Sequence, residues 1–331
     1  PFTRPWNRQR KRVMETGSLN LKILNPSLFD PWAMPWKNQE RQPDMALYTR
    51  LTDSRIKEIL SDYNLGEMVS ISPLEGGQAN SSFRIDTHKE RFTLSVCDEK
   101  NSREIDTLTR VLEYLNSKDF PTSPLIRTMS GHRFLTHDKK PVYVKKFIPG
   151  RVIQNLKPDM VFDVGKAMAV LHRLQKIPGL PDRFPYGLDA FDRVLVQDLG
   201  HPFIKWLKKQ KDYLIMAMDP SMKKGFIHGD IFWDNLVFSN DGGLRAILDF
   251  EEACNYYTLF DLGMCAVGCC SHHGEFDLSM VARLLKGYTQ EIDLCEKEKS
   301  QFKVFLVYAA TAAAFWRFRQ FHVRFPDPKR A

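Results

Sequence analysis

The chain has 331 residues, 43% of them hydrophobic, and a formal net charge of +8 at pH 7. That is enough apolar material for one large domain or two lobes. No run of about 18 uncharged apolar residues occurs, so a membrane-spanning helix is not indicated. The charge is unevenly placed: residues 1–44 carry eight Lys/Arg against four Asp/Glu, together with Trp6, Trp32 and Trp36. A basic leader reaches nucleic acid or a lipid surface through a fold or motif. None is visible, so neither partner is expected and the segment reads as an extension.

From Met45 onward the pattern becomes that of a folded unit. Ile56, Ile59, Leu60 and Tyr63 share one helical face, and Thr52 or Asp53 can cap that helix. Residues 68–74 form a short predicted strand. The turn from Glu75 to Ser81 then leads into paired strands over 82–86 and 91–96. Ile105, Leu108, Leu112 and Leu115 mark a helix over 102–117, and two more strands are expected within 131–146. These make a small lobe of five strands and one helix over roughly 66–146. Phe147-Ile148-Pro149-Gly150 breaks the pattern and serves as the hinge or its exit. Helices are expected over 157–175, 201–218, 256–270, 277–290 and 298–320, with 227–250 as the only strand pair among them. The fold class is α+β and bilobal: a small antiparallel-sheet lobe, then a larger, mostly helical one.

The six cysteines include no Cys-x-x-Cys pair, and five sit in apolar or helical surroundings. They read as reduced thiols of a cytoplasmic protein. Cys265, Cys269, Cys270, His272 and His273 fall on a predicted helix ending at Gly274, a spacing poorly suited to converging on zinc.

The chemistry concentrates in one stretch. Phe226-Ile227-His228-Gly229-Asp230 is followed by Asn235, and then by Ala246-Ile247-Leu248-Asp249-Phe250. Asp230 leaves an apolar strand behind a glycine that permits close backbone approach. A carboxylate there can take the proton of an acceptor hydroxyl, the role of a catalytic base in phosphoryl transfer. Asn235 and Asp249 offer oxygens to Mg²⁺, a hard cation that also draws on phosphate oxygens. His228 reads as a structural brace for the loop. Asp261, polar within Leu259-Phe260-Asp261-Leu262-Gly263, demands buried partners, with loop amides or His228 as candidates.

Other positions leave alternatives open. Gly76 and Gly77, with Asn80 and Ser81, can lay backbone and side-chain donors over the phosphates of ATP, although Gly-Gly is also a hairpin signal. Glu104 stands where a kinase helix carries a Glu for a third-strand lysine. That strand has Ser95 at the lysine position, which leaves Arg91 or Lys145 as candidate partners. Glu251 or Glu252 can take a substrate ammonium or act around the metal. His172 is either an acceptor contact or a satisfied core histidine. Arg317 and Arg319 either grip a substrate carboxylate or pack with their cations in water.

His228-Gly229-Asp230-x-x-x-x-Asn235 followed by Ile247-Leu248-Asp249-Phe250 resembles the aminoglycoside phosphotransferase and choline kinase group. Leu74-Glu75-Gly76-Gly77-Gln78-Ala79-Asn80, Glu104 to Leu108, Pro149-Gly150-Arg151, Leu171-His172 and Ala253-Cys254-Asn255 are similar to the bacterial second-type homoserine kinases. The resemblance implies a protein-kinase-like bilobal fold, ATP and Mg²⁺ as cofactors, Asp230 as base, and Asn235 and Asp249 as metal ligands. It also implies a small-molecule hydroxyl acceptor, homoserine-like in preference to choline, ethanolamine, a sugar or an aminoglycoside. Ser95 is compatible with that family, which often has a small hydroxyl residue there. Glu251 and Glu252 depart from it, standing where aromatics are common. The implied organisation is an extension over 1–44 outside the catalytic unit, a nucleotide-covering lobe over 45–148 and a catalytic lobe over 149–331, in a monomer or homodimer. A catalytically silent nucleotide-binding scaffold is the competing class. A protein kinase is disfavoured by Glu251 after Asp249-Phe250 and by the missing Ala-Pro-Glu segment.

Overall fold

The computed structural model describes residues 49, 51–74, 80–197, 200–272 and 275–326. The leader, and Gly76 and Gly77 of the glycine turn, lie outside the described residues. Thr52 caps helix α1, Asp53–Leu60, by accepting the Arg55 amide. Then follow β1 Met68–Leu74, β2 Asn80–Thr87, β3 Arg91–Cys97, α2 Ser102–Asn116, β4 Leu125–Ile126, β5 Leu135–His137 and β6 Lys140–Lys146. The sheet order is β1-β2-β3-β6-β4, antiparallel, with β5 also paired to β6. Six strands stand here where five were expected. The extra one, β4, has two residues in a Pro-flanked segment and no alternation to betray it.

Alternation sorts the sheet into two faces. Leu94, Val96, Val142 and Val144 join Ile56, Ile59 and Tyr63 in an apolar core under α1. Tyr143 turns the other way. It joins the α2 residues Ile105, Leu108, Val111 and Leu112 in the main core of the molecule, which continues into the second lobe. Helix α2 thus belongs by sequence to the small lobe and by packing to the large one.

Past the hinge, Arg151 pairs with Phe238 through two backbone hydrogen bonds of 2.8 and 2.9 Å. The large lobe comprises α3 Pro158–Arg173, α4 Leu188–Leu195, α5 Pro202–Ala217, β7 Lys224–Ile227, β8 Leu236–Phe238, β9 Leu244–Ile247, β10 Cys254–Tyr257, α6 Thr258–Cys269, β11 Ser271–His272, β12 Glu275–Phe276, α7 Leu278–Tyr288 and α8 Glu296–Phe318. Every residue of α6 is buried, as expected of a helix apolar on all sides. Helices α3 and α7 touch backbone to backbone. A Cβ at Gly165 would strike the Leu284 carbonyl, and one at Gly287 the Phe162 carbonyl.

The expectation of a single strand pair over 227–250 is corrected. β8 pairs with β9, while β7 pairs with β10 beyond that stretch. The partner of β7 escaped notice because Cys254–Tyr257 runs directly into α6, with no turn residue between. Cys265, Cys269 and Cys270 are buried free thiols.

Candidate active site

Two loops form the cleft floor. The first leaves β7 through Gly229, at φ +86°, where a Cβ would meet the Phe184 ring at 2.9 Å and the Glu252 carbonyl at 3.0 Å. Only glycine fits this turn, and it delivers Asp230 to the cleft. The second leaves β9 through Asp249, which has φ 64° and ψ 66°. A left-handed non-glycine residue is strained, and such strain clusters at functional sites.

Asp261 holds the first loop from below. Its carboxylate accepts the amides of His228 at 3.0 Å and Gly229 at 2.7 Å, and the ring of His172 at 3.0 Å. Burial alone would raise its pKa. The hydrogen bond and charge of His172, with the His228 and Gly229 contacts, outweigh that and hold it below the usual carboxylate range. His172 also bonds Tyr288 Oη at 3.0 Å. Both its ring nitrogens are thus engaged and it is buried, so it has nothing to offer an acceptor; its candidate acceptor role is replaced by a bracing one.

His228 ties the two loops together. Its Nδ1 accepts the Asp230 amide at 3.1 Å, and its Nε2–H donates to the Leu248 carbonyl at 2.8 Å, one residue before Asp249. That pattern requires the neutral ring. Burial lowers its pKa, although the charge of Asp261 and the Leu248 hydrogen bond pull the other way.

Asn235 Nδ2 donates to the Asp230 carbonyl at 2.9 Å and to its carboxylate at 3.3 Å, leaving the amide oxygen of Asn235 as a cation ligand. Its backbone carbonyl accepts from the Leu248 amide at 2.8 Å, so the two metal candidates are registered through one hydrogen bond. Burial, then the charges of Asp249, Asp234 and Glu252, push Asp230 well above the ordinary carboxylate range. Asp249 stays open to the cleft. The crowding around it raises its pKa, while Lys145 and Lys100 oppose the rise. Among the described residues, no group of three or more His, Cys, Asp or Glu forms a metal cage. One Asn oxygen and one carboxylate, amid excess negative charge, suit a hard divalent cation that completes its shell from phosphate oxygens.

The small-lobe candidates fall differently. Asn80 donates to Glu251 across the cleft. Ser81 is buried, and its amide and hydroxyl donate to Asp98 at 3.1 and 2.8 Å. Neither is free to face phosphates, which corrects both expectations. Glu104 is exposed and closes a capping box with Asn101, accepting the Asn101 amide at 2.9 Å. It therefore serves its own helix and pairs with neither Arg91 nor Lys145.

Lys100 was not anticipated. It enters from the loop before α2, donates to the Glu251 carbonyl at 2.6 Å, and lies 3.4 and 3.6 Å from the Glu251 and Glu252 carboxylates. Burial works against its charge, but Glu252, Glu251 and Asp249 raise its pKa overall. The Asp98-Glu99-Lys100 run reads as a solvated turn, and nothing local in it signals an interlobe contact. Glu251, held by Asn80 and Lys100, is removed from the acceptor candidates. Glu252 remains. Tyr186, also unanticipated, feels charges of both signs. Its pKa is pushed up to about 12, first by burial and then by Glu252, with Arg319 and Lys100 opposing. The Arg319 guanidinium lies 6.0 Å from the Tyr186 ring centre, whereas Arg317 stacks over Phe321, also at 6.0 Å.

Residues 70–295 match the model of the phosphotransferase enzyme family. The homoserine kinase of Caulobacter vibrioides is 25% identical over 270 residues, 78% of this chain and 84% of that one. A solved spectinomycin phosphotransferase, in complex with ADP and spectinomycin, superposes with a TM-score of 0.63 at 15% identity, covering 85% of this chain and 91% of the other. The choline kinase of Streptococcus pneumoniae superposes with a TM-score of 0.63 at 13% identity, over 84% and 93% of the two chains. The family match runs from within β1 to the N-terminal cap of α8, through all the residues of both cleft loops, and the chain belongs to the phosphotransferase enzyme family.

Proposed function

We propose that this chain transfers the γ-phosphoryl group of ATP, bound with Mg²⁺, to the hydroxyl of a small amino alcohol that also carries a carboxylate, homoserine or a near analogue, in the cytoplasm. The observation that carries the reading is the convergence of Asp230, Asn235 and Asp249 on one cleft floor, joined through His228, Leu248 and Asn235. Asp230 takes the proton of the acceptor hydroxyl as its oxygen bonds to the γ-phosphorus. The bond from that phosphorus to the β,γ-bridging oxygen breaks and ADP leaves. The raised pKa of Asp230 makes it a better proton acceptor than an ordinary carboxylate, provided it is ionised at the working pH. Asn235 and Asp249 would hold Mg²⁺, which neutralises phosphate charge when bound.

Acceptor recognition falls to Glu252 and Arg319, both of which act on Tyr186. Glu252 suits an ammonium. Arg319 suits a carboxylate through its planar fork. Choline and ethanolamine have no carboxylate and would leave Arg319 unused.

The test is ADP release from Mg-ATP with homoserine, hydroxylysine, choline, ethanolamine, methylthioribose and an aminoglycoside, beside Asp230→Asn. Homoserine or another hydroxy amino acid should turn over. The variant should lose roughly a thousandfold in kcat, the scale of a lost general base, with nucleotide still bound. Preference for choline or an aminoglycoside would overturn the acceptor assignment. Near-normal turnover by Asp230→Asn would remove Asp230 as the base.

A further inference from the structure

The strand position at which a kinase carries its phosphate-binding lysine is filled here by Ser95. It is not merely empty of charge. Ser95 is 1% exposed, lies opposite the buried Tyr143 in the β3–β6 register, and its hydroxyl stands 3.3 Å from that of Ser82. A lysine at 95 would have to displace Tyr143 from the core.

The neighbouring strand carries a cation on the same face. Thr93 pairs with Lys145 two residues along β3 and β6 from the Ser95–Tyr143 pair. Diagonal neighbours at that separation are within reach of a long side chain. Val142 and Val144 point into the core under α1, so Tyr143 and Lys145 face the opposite side, toward the large lobe. There Lys145 lines a small interlobe cavity with Thr122, Ser123, Tyr143, Asp249 and Glu251. Its ammonium lies 5.5 Å from the Tyr143 ring centre, and among the described residues it makes no ion pair within 4.0 Å. Lys100 differs, being occupied by Glu251 and Glu252. Lys145 is also the first cation to act on the carboxyl of Asp249. A half-buried lysine with no carboxylate partner among the described residues, beside the candidate cation ligand Asp249, fits the phosphate chain of a nucleotide.

We infer that Lys145, reaching from β6, supplies the cation for the α- and β-phosphates of the bound nucleotide in place of a third-strand lysine. The inference rests on the kinase reading above. Phosphate oxygens accept from its ammonium, and Tyr143 beneath it sets its height in the cleft.

The experiment is titration calorimetry of wild type, Lys145→Ala and Lys145→Gln with adenosine, ADP and a non-hydrolysable ATP analogue, with and without Mg²⁺. Circular dichroism and thermal melts check folding, and Lys100→Met serves as comparison. Loss of one charge-assisted hydrogen bond weakens binding roughly ten- to hundredfold. Both Lys145 variants should lose that much for ADP and the analogue, and keep adenosine within about twofold. Since Gln preserves length and packing without the charge, it separates the cation from its stem. Wild-type affinity for ADP in a folded Lys145→Gln protein overturns the inference. So does a phosphate-dependent loss seen in Lys100→Met and absent from the Lys145 variants. Should wild type bind none of the three ligands, the kinase reading falls, and this assignment with it.

Discussion

Asp249 combines a left-handed backbone with an open carboxylate, and we propose it as a cation ligand. Asp249→Ala should relieve backbone crowding only slightly while removing one of two protein oxygens for the cation. We expect the affinity for Mg-nucleotide to fall roughly ten- to hundredfold, the scale of a lost charged ligand, with metal-free nucleotide affinity nearly unchanged. Titration across Mg²⁺ concentrations checks this, and equal loss with and without Mg²⁺ would place Asp249 elsewhere. Asp230, Asn235 and Asp249 could be picked out as candidates because their spacing within two apolar runs is specific, and the structure brings them together. Glu251, Ser81 and His172 were not legible in this way. Each is the right residue type near the right place, and each is consumed by a partner far away in sequence: Lys100 for Glu251, Asp98 for Ser81, and Asp261 with Tyr288 for His172. No local pattern encodes such pairs.

At the level of elements, helix faces were read well because burial repeats every three to four residues. Pairing between β7 and β10 was hidden because strand partners are set by tertiary contact. The buried helix α6 carries Asp261 under the catalytic loop, so the helix and the loop act as one element. Asp261→Asn keeps one acceptor oxygen and replaces the other with a donor facing the Gly229 amide. Two donors facing each other in a buried site should cost about 1–3 kcal/mol. Thermal or urea unfolding measures that loss. Turnover should fall further than the loss of stability accounts for, because the Asp230 loop is no longer held. A variant with wild-type stability and kcat would show that Asp261 does not hold that loop.

For the whole molecule, acid sensitivity follows from His228. Its folded pKa lies below the ordinary 6.5 because it is buried. The unfolded chain therefore binds a proton that the folded ring resists. The stability this contributes is complete above about pH 6.5 and drains away as the pH falls through that value toward the folded pKa. Melting temperature measured between about pH 7.5 and 5.5 should decline in wild type. The decline should be shallower in His228→Gln, whose amide can still donate and accept; matching slopes would assign the effect to other groups. The two lobes are also laced together by side chains. Asn80 and Lys100 grip Glu251, and Arg324, beyond α8, bonds Glu99 at 3.1 Å. Opening the cleft must break all of these at once, and Glu251 lies two residues from Asp249. We expect product escape to loosen the candidate cation site at Asp249 as well. Lobe opening is therefore expected to limit turnover. Added glycerol should slow wild-type turnover in proportion to solvent viscosity, and a Lys100→Met protein, with one of these ties removed, should be slowed less.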